Sequence, residues 1–600
     1  MDRIPGSREE DSWFSDEQLG MLAPADESDN VGSPIPTAMV SNGEYLPFPQ
    51  SAQQRQVELR IADLADGAAR KLGLSRRRFL ATSGGMAAAF LAMNDVFGRF
   101  FDVDPAELFE PAAAAEVGPP RDLFVFDGQL HMIRNNNTRS GGVLRAASQG
   151  PGPASTAAGF TSNPFNPMGY PDELGNPWTA WTDRLGQRPN VRSEYTLVQF
   201  VKDVFLDSQV TVGHLTNAPL GLFLPPGEKE PRRPHVLKEM LDVENLTGFQ
   251  TAAVRDFINA VAGSQRALAH GQIFPGKYNL DYMQQQIDQF HPDSWKGYTS
   301  AFCTKDNDDP RLEMTRWRLD DEKVAYPTYD LIRKNRQELA NHPGFFNISI
   351  HKGLSTQTPD DPAANIPSLG NPSDIPKAAK DWPEFNFIIF HGSWAPNLFG
   401  KPSLDAIRNN RMRNGVPDIQ WTTEMAQDCA HLPNVYTELG TTFGATVTAF
   451  PTVCAHLIGQ ILKYWGASRL VFGTDSVWYG SPQWQIEAMW RFQIPEAMSK
   501  KYGYPQLTPD MKRQILGLNS ARLFKLKPSA PVSTAGLYKP VPANFATQIP
   551  DALKRRLADE PGYRGYSELL PDDNLSRLKS DYAEAGGRRE NLRYGWVRRG

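Results

Sequence analysis

Five side chains in this 600-residue chain have the chemistry of a divalent-metal site: Gln129, His131, His351, His391 and Asp475. A divalent cation wants ligands that are basic at neutral pH, above all imidazole nitrogen and carboxylate oxygen. A catalytic site keeps one position open, where bound water loses its proton easily and becomes a nucleophile. Each of the five stands at or just beyond the end of a short apolar run. Gln129 and His131 follow Leu123-Phe124-Val125-Phe126-Asp127, and His351 ends Phe346-Asn347-Ile348-Ser349-Ile350. His391 ends Phe385-Asn386-Phe387-Ile388-Ile389-Phe390, and Asp475 ends Arg469-Leu470-Val471-Phe472-Gly473-Thr474. Side chains two apart on a strand share a face, so Gln129 and His131 point the same way.

The elements that must position these residues follow from the same runs. Further strand candidates are Val210–His214, Gly271–Pro275, Ser294–Tyr298 and Val435–Glu438. Most of these eight runs are followed by a helical pattern, the signature of parallel βα units. Eight such units predict an α/β fold, a (β/α)8 TIM barrel, over residues 121–526. The active site of such a barrel lies at the C-terminal ends of its strands. Asp127 to His131, Lys296, His351, His391, Glu438 and Asp475 therefore converge on one mouth. Segments 134–195 and 216–268 exceed a simple βα loop and read as loop insertions over that mouth. Residues 527–600, rich in Pro, Gly and charge, read as a C-terminal extension.

Other polar residues have plainer readings. Glu438 ends the seventh run, where it would hydrogen-bond substrate or a ligand's partner. Trp394, Trp478 and Tyr479 follow His391 and Asp475 and would wall the mouth, and His214 would line the pocket. Arg318-Leu319-Asp320-Asp321-Glu322 reads as a helix start, where acidic groups suit the dipole. His342, His431 and His456 read as structural. Cys303, Cys429 and Cys454 are too few, and of odd number, for a disulfide framework, so they read as free thiols.

Composition excludes some classes. With 40% hydrophobic and 22% charged residues and a net charge of -5, this is no general nucleic-acid binder. Residues 1–70 are polar and read as disordered. In segment 71–115, Ser75-Arg76-Arg77-Arg78-Phe79-Leu80 precedes a Gly/Ala-rich apolar stretch, Ala81–Met93, and small residues at Ala112–Ala115. This resembles a twin-arginine export signal. It implies the export machinery as a partner and an exported, periplasmic or other extracytoplasmic location, or a cytoplasmic one if the signal is not used. The stretch is too short for a stable membrane span.

Residues 121–526 also resemble the amidohydrolase-related family that includes aminocarboxymuconate-semialdehyde decarboxylase-like enzymes. The resemblance rests on Asp127-Gly128-Gln129-Leu130-His131, Ile350-His351-Lys352-Gly353-Leu354, Phe387–Gly392, Leu470–Asp475 and the closing segment Ile515–Phe524. It implies one divalent metal, zinc with manganese or iron as alternatives, on His131, His351 and Asp475. It makes Asp475 and His391 the acid/base pair. Many members carry His-x-His at the first strand, and here Gln129 replaces the first His. An amide oxygen is a poorer ligand than imidazole for a borderline-soft metal, which implies weaker or differently chosen metal. In some amidohydrolases a carboxylated lysine on the fourth strand bridges two metals. Lys296 stands near that place, but the missing His points to an ion-pairing lysine.

The resemblance implies a small-molecule substrate and allows a homodimer. The first expectation is a hydrolase in which metal-activated water attacks an ester, amide or lactone carbonyl. The alternative is a non-oxidative decarboxylase on the same scaffold. A third is a metal-poor binding protein, kept open by Gln129.

Overall fold

A computed structural model describes residues 33–39, 50–120, 122–132, 197–217, 246–276, 279–299, 317–353, 369–394 and 402–528, with Leu575 and Lys579. Eight parallel strands form one sheet in sequential order. They are β1 (Phe126–Leu130), β2 (Val212–Leu215), β3 (Ala267–Gln272), β4 (Ser294–Tyr298), β5 (Asn347–His351), β6 (Asn386–Phe390), β7 (Val435–Glu438) and β8 (Leu470–Val471). Backbone bonds carry the sheet back from the end of β8 to β1: Gly128 N–H to Phe472 O (2.9 Å), Asp475 N–H to Gln129 O (2.9 Å) and His131 N–H to Ser476 O (2.6 Å). The chain is thus a (β/α)8 barrel. Its strands are buried on both faces, as covered parallel sheets require.

Helices occupy the connections. Gly248–Ala262 shows why such a segment is helical: Thr247 and Gln250 form a reciprocal cap at its start, and Gly263 ends it at φ 71°. Pro451–Trp465 carries proline in its first turn, where no helical N–H is lost, and buries most of its length. Inside the barrel, Phe126, Val212, Leu268, Ile388, Phe390 and Val471 form a core with Phe524 and Leu526 from the chain that follows the last helix. The Phe524 ring stacks on Phe126 at 5.2 Å.

Several boundaries differ from the sequence reading. The third strand starts at Ala267 rather than Gly271, and the helix before it occupies Gly248–Ala262. Residues 248–268 of the expected insertion 216–268 are therefore barrel, and 218–245 lie outside the described residues. A strand buried on both faces has no apolar/polar alternation to mark its start. β1 begins at Phe126 rather than Leu123 and carries an irregularity between Asp127 and Leu130. The insertion 134–195 lies outside the described residues, as do Cys303 and nearly all of the 527–600 extension. Cys429 and Cys454 are free and buried, and burial pushes both thiols up to about 12.

The largest correction concerns the N-terminal region. The reading of 1–70 as disordered fails at Ala52–Leu72, a helix with Ser51 and Gln54 as a capping box and buried Val57, Ile61, Ala65 and Ala68. The Arg76–Leu80 helix keeps its arginines outward while Phe79 and Leu80 are fully buried. Ser83–Phe97 is a helix buried from Gly84 to Phe90. Small residues that suit an export signal also permit close packing: a Cβ on Gly85 would lie 2.5 Å from the Leu80 Cα. The segment is fastened to the barrel by Asp102 N–H to Arg491 O (2.7 Å), Gln493 N–H to Phe100 O (2.7 Å) and a buried two-pronged Arg491–Glu107 pair (2.8 and 3.1 Å). Among the described residues no helix is long and apolar enough to cross a membrane.

Candidate active site

The mouth gathers side chains from β1, β4, β5, β6, β7 and the loop after β8. Gln129 and His131 share a face, with Gln129 Nε2 3.4 Å from His131 Nε2. Both meet Asp475, whose Oδ1 lies 2.9 Å from Gln129 Nε2 and 2.9 Å from His131 Nε2. Thr441 Oγ donates to the other oxygen, Oδ2, at 2.6 Å. Thr441 in turn touches the Tyr479 hydroxyl. Asp475 therefore has both oxygens engaged by three side chains. Its backbone is left-handed at φ 60°, as is that of His391 at φ 64°. For residues other than glycine this costs about 1–3 kcal/mol and is held only by surrounding structure. Thr442 supplies part of that hold by donating to the His391 carbonyl at 2.8 Å.

His351 and His391 form the opposite side, their rings edge-to-face at 4.5 Å. Tyr298 stacks on His351 at 4.4 Å, and Trp478 stacks on His131 at 5.4 Å. Lys296 is fully buried, with Nζ 3.5 Å from the Phe390 ring centre and 4.9 Å from that of Tyr298. A cation over aromatic faces gains from the ring quadrupole, more so when desolvated. Glu438 is fully buried against glycine backbone: a Cβ on Gly473 would lie 2.6 Å from its Oε1, and one on Gly440 2.7 Å from Gln129 Oε1. Glycine at these two positions makes room for the polar groups.

Burial sets the electrostatics. It would raise the Asp475 carboxyl, but the hydrogen bond and charge of His131, with His391 and Thr441, hold it well below the usual carboxylate range. Glu438 goes the other way: burial and the Asp475 charge push it well above its ordinary value, against the pull of Lys296. Burial, with Lys296 next, holds His351 well below an ordinary imidazole, in its neutral, metal-binding form. Asp127 is raised to about 7 by burial although Thr474 and Gln129 N–H donate to it.

The donor set fits a divalent ion. Two buried imidazoles and an ionised carboxylate are the right ligands. His131 Nδ1 and Gln129 Oε1 are buried without a hydrogen-bond partner among the described residues. Gln129 turns its amide nitrogen, not its oxygen, toward Asp475 and His131, so in this arrangement it steadies the carboxylate rather than offering a ligand atom. Trp394 belongs to an apolar cluster with Ile419, Ala445, Val453 and Leu457. His214 sits inside the barrel, stacked on His270 at 3.6 Å and bonded to Ser294 at 2.9 Å. Sequence reasoning missed Thr441 and Tyr298. Tyr298 was findable, two residues beyond Lys296 on the same strand face. Thr441 had no such signal.

Residues 305–526 match the model of the amidohydrolase family. No curated protein matches the chain. Among solved structures, the chain is similar to an uncharacterised TIM-barrel protein from Bordetella bronchiseptica, at 15% identity and TM-score 0.34, over 67% of this chain and 98% of that one. It is similar to 2,6-dihydroxybenzoate decarboxylase from Rhizobium, at 13% identity and TM-score 0.32, over 67% and 99% of the two chains. A third is 5-carboxyvanillate decarboxylase from Novosphingobium aromaticivorans with bound manganese, at 10% identity and TM-score 0.37, over 68% and 99%.

Proposed function

We propose that this chain is a metal-dependent enzyme of the amidohydrolase type that removes carbon dioxide, without oxidation, from a small carboxylic acid. The observation that carries the reading is the division of labour between two carboxyl groups. Asp475 already accepts from Gln129, Thr441 and His131, so it is a poor base for activating water. Glu438, fully buried beside it, is kept as a neutral acid and is suited to hand a proton to carbon. Decarboxylation needs such a donor, because the carbon that loses carbon dioxide must gain a proton.

His131, His351 and Asp475 would hold the ion, with zinc, manganese or iron as candidates, and the ion would polarise substrate oxygens. Lys296 supplies a desolvated positive charge suited to an anionic substrate. Tyr298 and Trp478 hold the two imidazoles by stacking and offer flat apolar walls. His391, in its constrained turn, stands next to His351 as the second proton-carrying group.

Hydrolysis of an ester, amide or lactone is the second reading, favoured by the family model matched over 305–526. One experiment separates them. The full chain is reconstituted with zinc, manganese or iron and offered a panel of hydroxybenzoic acids beside aryl esters and lactones. Metal-dependent release of carbon dioxide, lost in His131→Ala/His351→Ala, supports the proposal. Metal-dependent ester or lactone cleavage without carbon dioxide release would reject it in favour of hydrolysis. Failure to bind any metal would reject both.

A further inference from the structure

A second cluster with metal-ligand chemistry lies at the other end of the barrel. His291 ends the helix Leu280–Phe290 ahead of β4, and Glu338 and His342 lie just ahead of β5. Connections that enter strands lie on the N-terminal face, opposite the mouth. Glu338 and His342 are four residues apart, and His342 N–H donates to the Glu338 carbonyl at 2.7 Å, so both project from one helical turn. His291, in a left-handed backbone at φ 46°, brings its ring to them from the neighbouring connection. Among the described residues, one ligand atom from each of the three lies within 4.8 Å of the others. His291 Nδ1 is 2.9 Å from Glu338 Oε2, and the two imidazoles are nearly parallel at 5.8 Å.

We propose that His291, Glu338 and His342 form a second divalent-cation site, of zinc type, that ties two connections together on the N-terminal face. Two imidazoles and one carboxylate make a common zinc donor set. Zinc bonds of about 2.0–2.1 Å place tetrahedral ligand atoms roughly 3.3 Å apart, close to the 2.9 Å between His291 Nδ1 and Glu338 Oε2.

The independent observation is the support behind His342. Asp293 Oδ1 accepts from His342 Nδ1 at 3.1 Å, which leaves Nε2 as the basic nitrogen. Asp293 is itself buried and fixed, its Oδ2 accepting from Arg255 at 3.1 Å and from the Ala269 N–H at 2.8 Å. A carboxylate holding the far nitrogen of an imidazole is the usual arrangement behind a metal-binding histidine. The three residues share no ligand with the site proposed at the mouth, so the two are tested separately.

The test uses the full chain, stripped with a chelator, and zinc as the probe. Bound zinc is counted by elemental mass spectrometry, and affinity is measured by calorimetry. The His131→Ala/His351→Ala protein should still bind one zinc per chain. Adding His291→Ala, at a partly exposed position, or Glu338→Gln should weaken that binding by at least about tenfold. In the otherwise unaltered chain, His291→Ala should lower zinc content by one per chain, which covers failure of the mouth variant to fold. Equal zinc binding with and without His291→Ala and Glu338→Gln would overturn the proposal.

Discussion

At the scale of single residues, the site is governed by which buried charges find partners. Asp475 is held low by His131, His391 and Thr441 beside it, while burial and the Asp475 charge push Glu438 up toward its protonated form. Glu438→Gln keeps the shape and removes the transferable proton. Turnover should fall by about 10²–10⁴, the usual worth of a positioned acid, with metal content unchanged. A loss of metal instead would assign Glu438 to binding rather than proton transfer. Gln129 presents the complementary case. Its amide now donates to Asp475, and Gln129→His would offer the ion an imidazole in place of an amide. Zinc affinity, followed by calorimetry, should rise, and an unchanged value would show that this position lies outside the ligand sphere.

At the scale of elements, residues 50–120 behave as part of the folded body. The Ser83–Phe97 helix packs against the Ala52–Leu72 helix and the Pro105–Leu108 turn, the Arg491 guanidinium lies 5.7 Å from the Phe90 ring centre, and Phe101 packs edge-on to Phe492 at 5.8 Å. The Arg491–Glu107 pair, 2% and 0% exposed at its side chains, joins this segment to the helix Gln483–Arg491. Removing Glu107 leaves the buried Arg491 with Glu487 as its remaining acidic partner, at 3.2 Å, so the loss is that of the charged hydrogen bonds given up, about 1.5–3 kcal/mol. Glu107→Ala should therefore lower the unfolding free energy of the whole domain, measured by urea denaturation, by about that amount. A variant as stable as the parent would show that the segment can detach, as a leader would. The arginines at 76–78 remain on the surface while Phe79 and Leu80 do not, so reading this stretch as a signal requires it to leave its packing first.

At the scale of the molecule, buried histidines make the fold sensitive to acid. Burial, reinforced by Lys501, holds His456 at about 4 against an ordinary 6.5, and its Nδ1 meets the Tyr504 hydroxyl at 3.0 Å. Burial likewise holds His214 at about 3. The native state keeps these rings neutral, whereas the unfolded chain protonates them. Their contribution is complete above about pH 6.5 and is lost as pH falls through the native values. For His456 alone the loss approaches about 3 kcal/mol. Urea unfolding at about pH 7 and about pH 4.5 should show the parent losing more stability than His456→Gln over that interval. Equal losses would mean that His456 is already protonated in the native protein.

The sequence by itself determined the barrel and most of the mouth. Short apolar runs ending in His351, His391, Glu438 and Asp475 carry their own signal, because a parallel strand must be apolar and its C-terminal end opens onto the site. The strand limits at Ser294–Tyr298 and Val435–Glu438 were read without change. The start of β3 and the irregular β1 were not legible, since strands buried on both faces carry no alternating pattern. Only tertiary structure decided that Thr441 serves Asp475 and that Gln129 turns its nitrogen inward. It also decided that Trp394 packs with Ile419 and Leu457 and that His291, Glu338 and His342 meet. These are contacts between separate strands and connections, and their formation depends on barrel closure rather than on local spacing. The same holds for residues 76–97, where arginines followed by small apolar residues describe an export signal and a tightly packed helix equally well. Only the fold shows Phe79, Leu80 and Met86–Phe90 to be buried, because part of what covers this segment, such as Leu108 beside Gly84, comes from outside it.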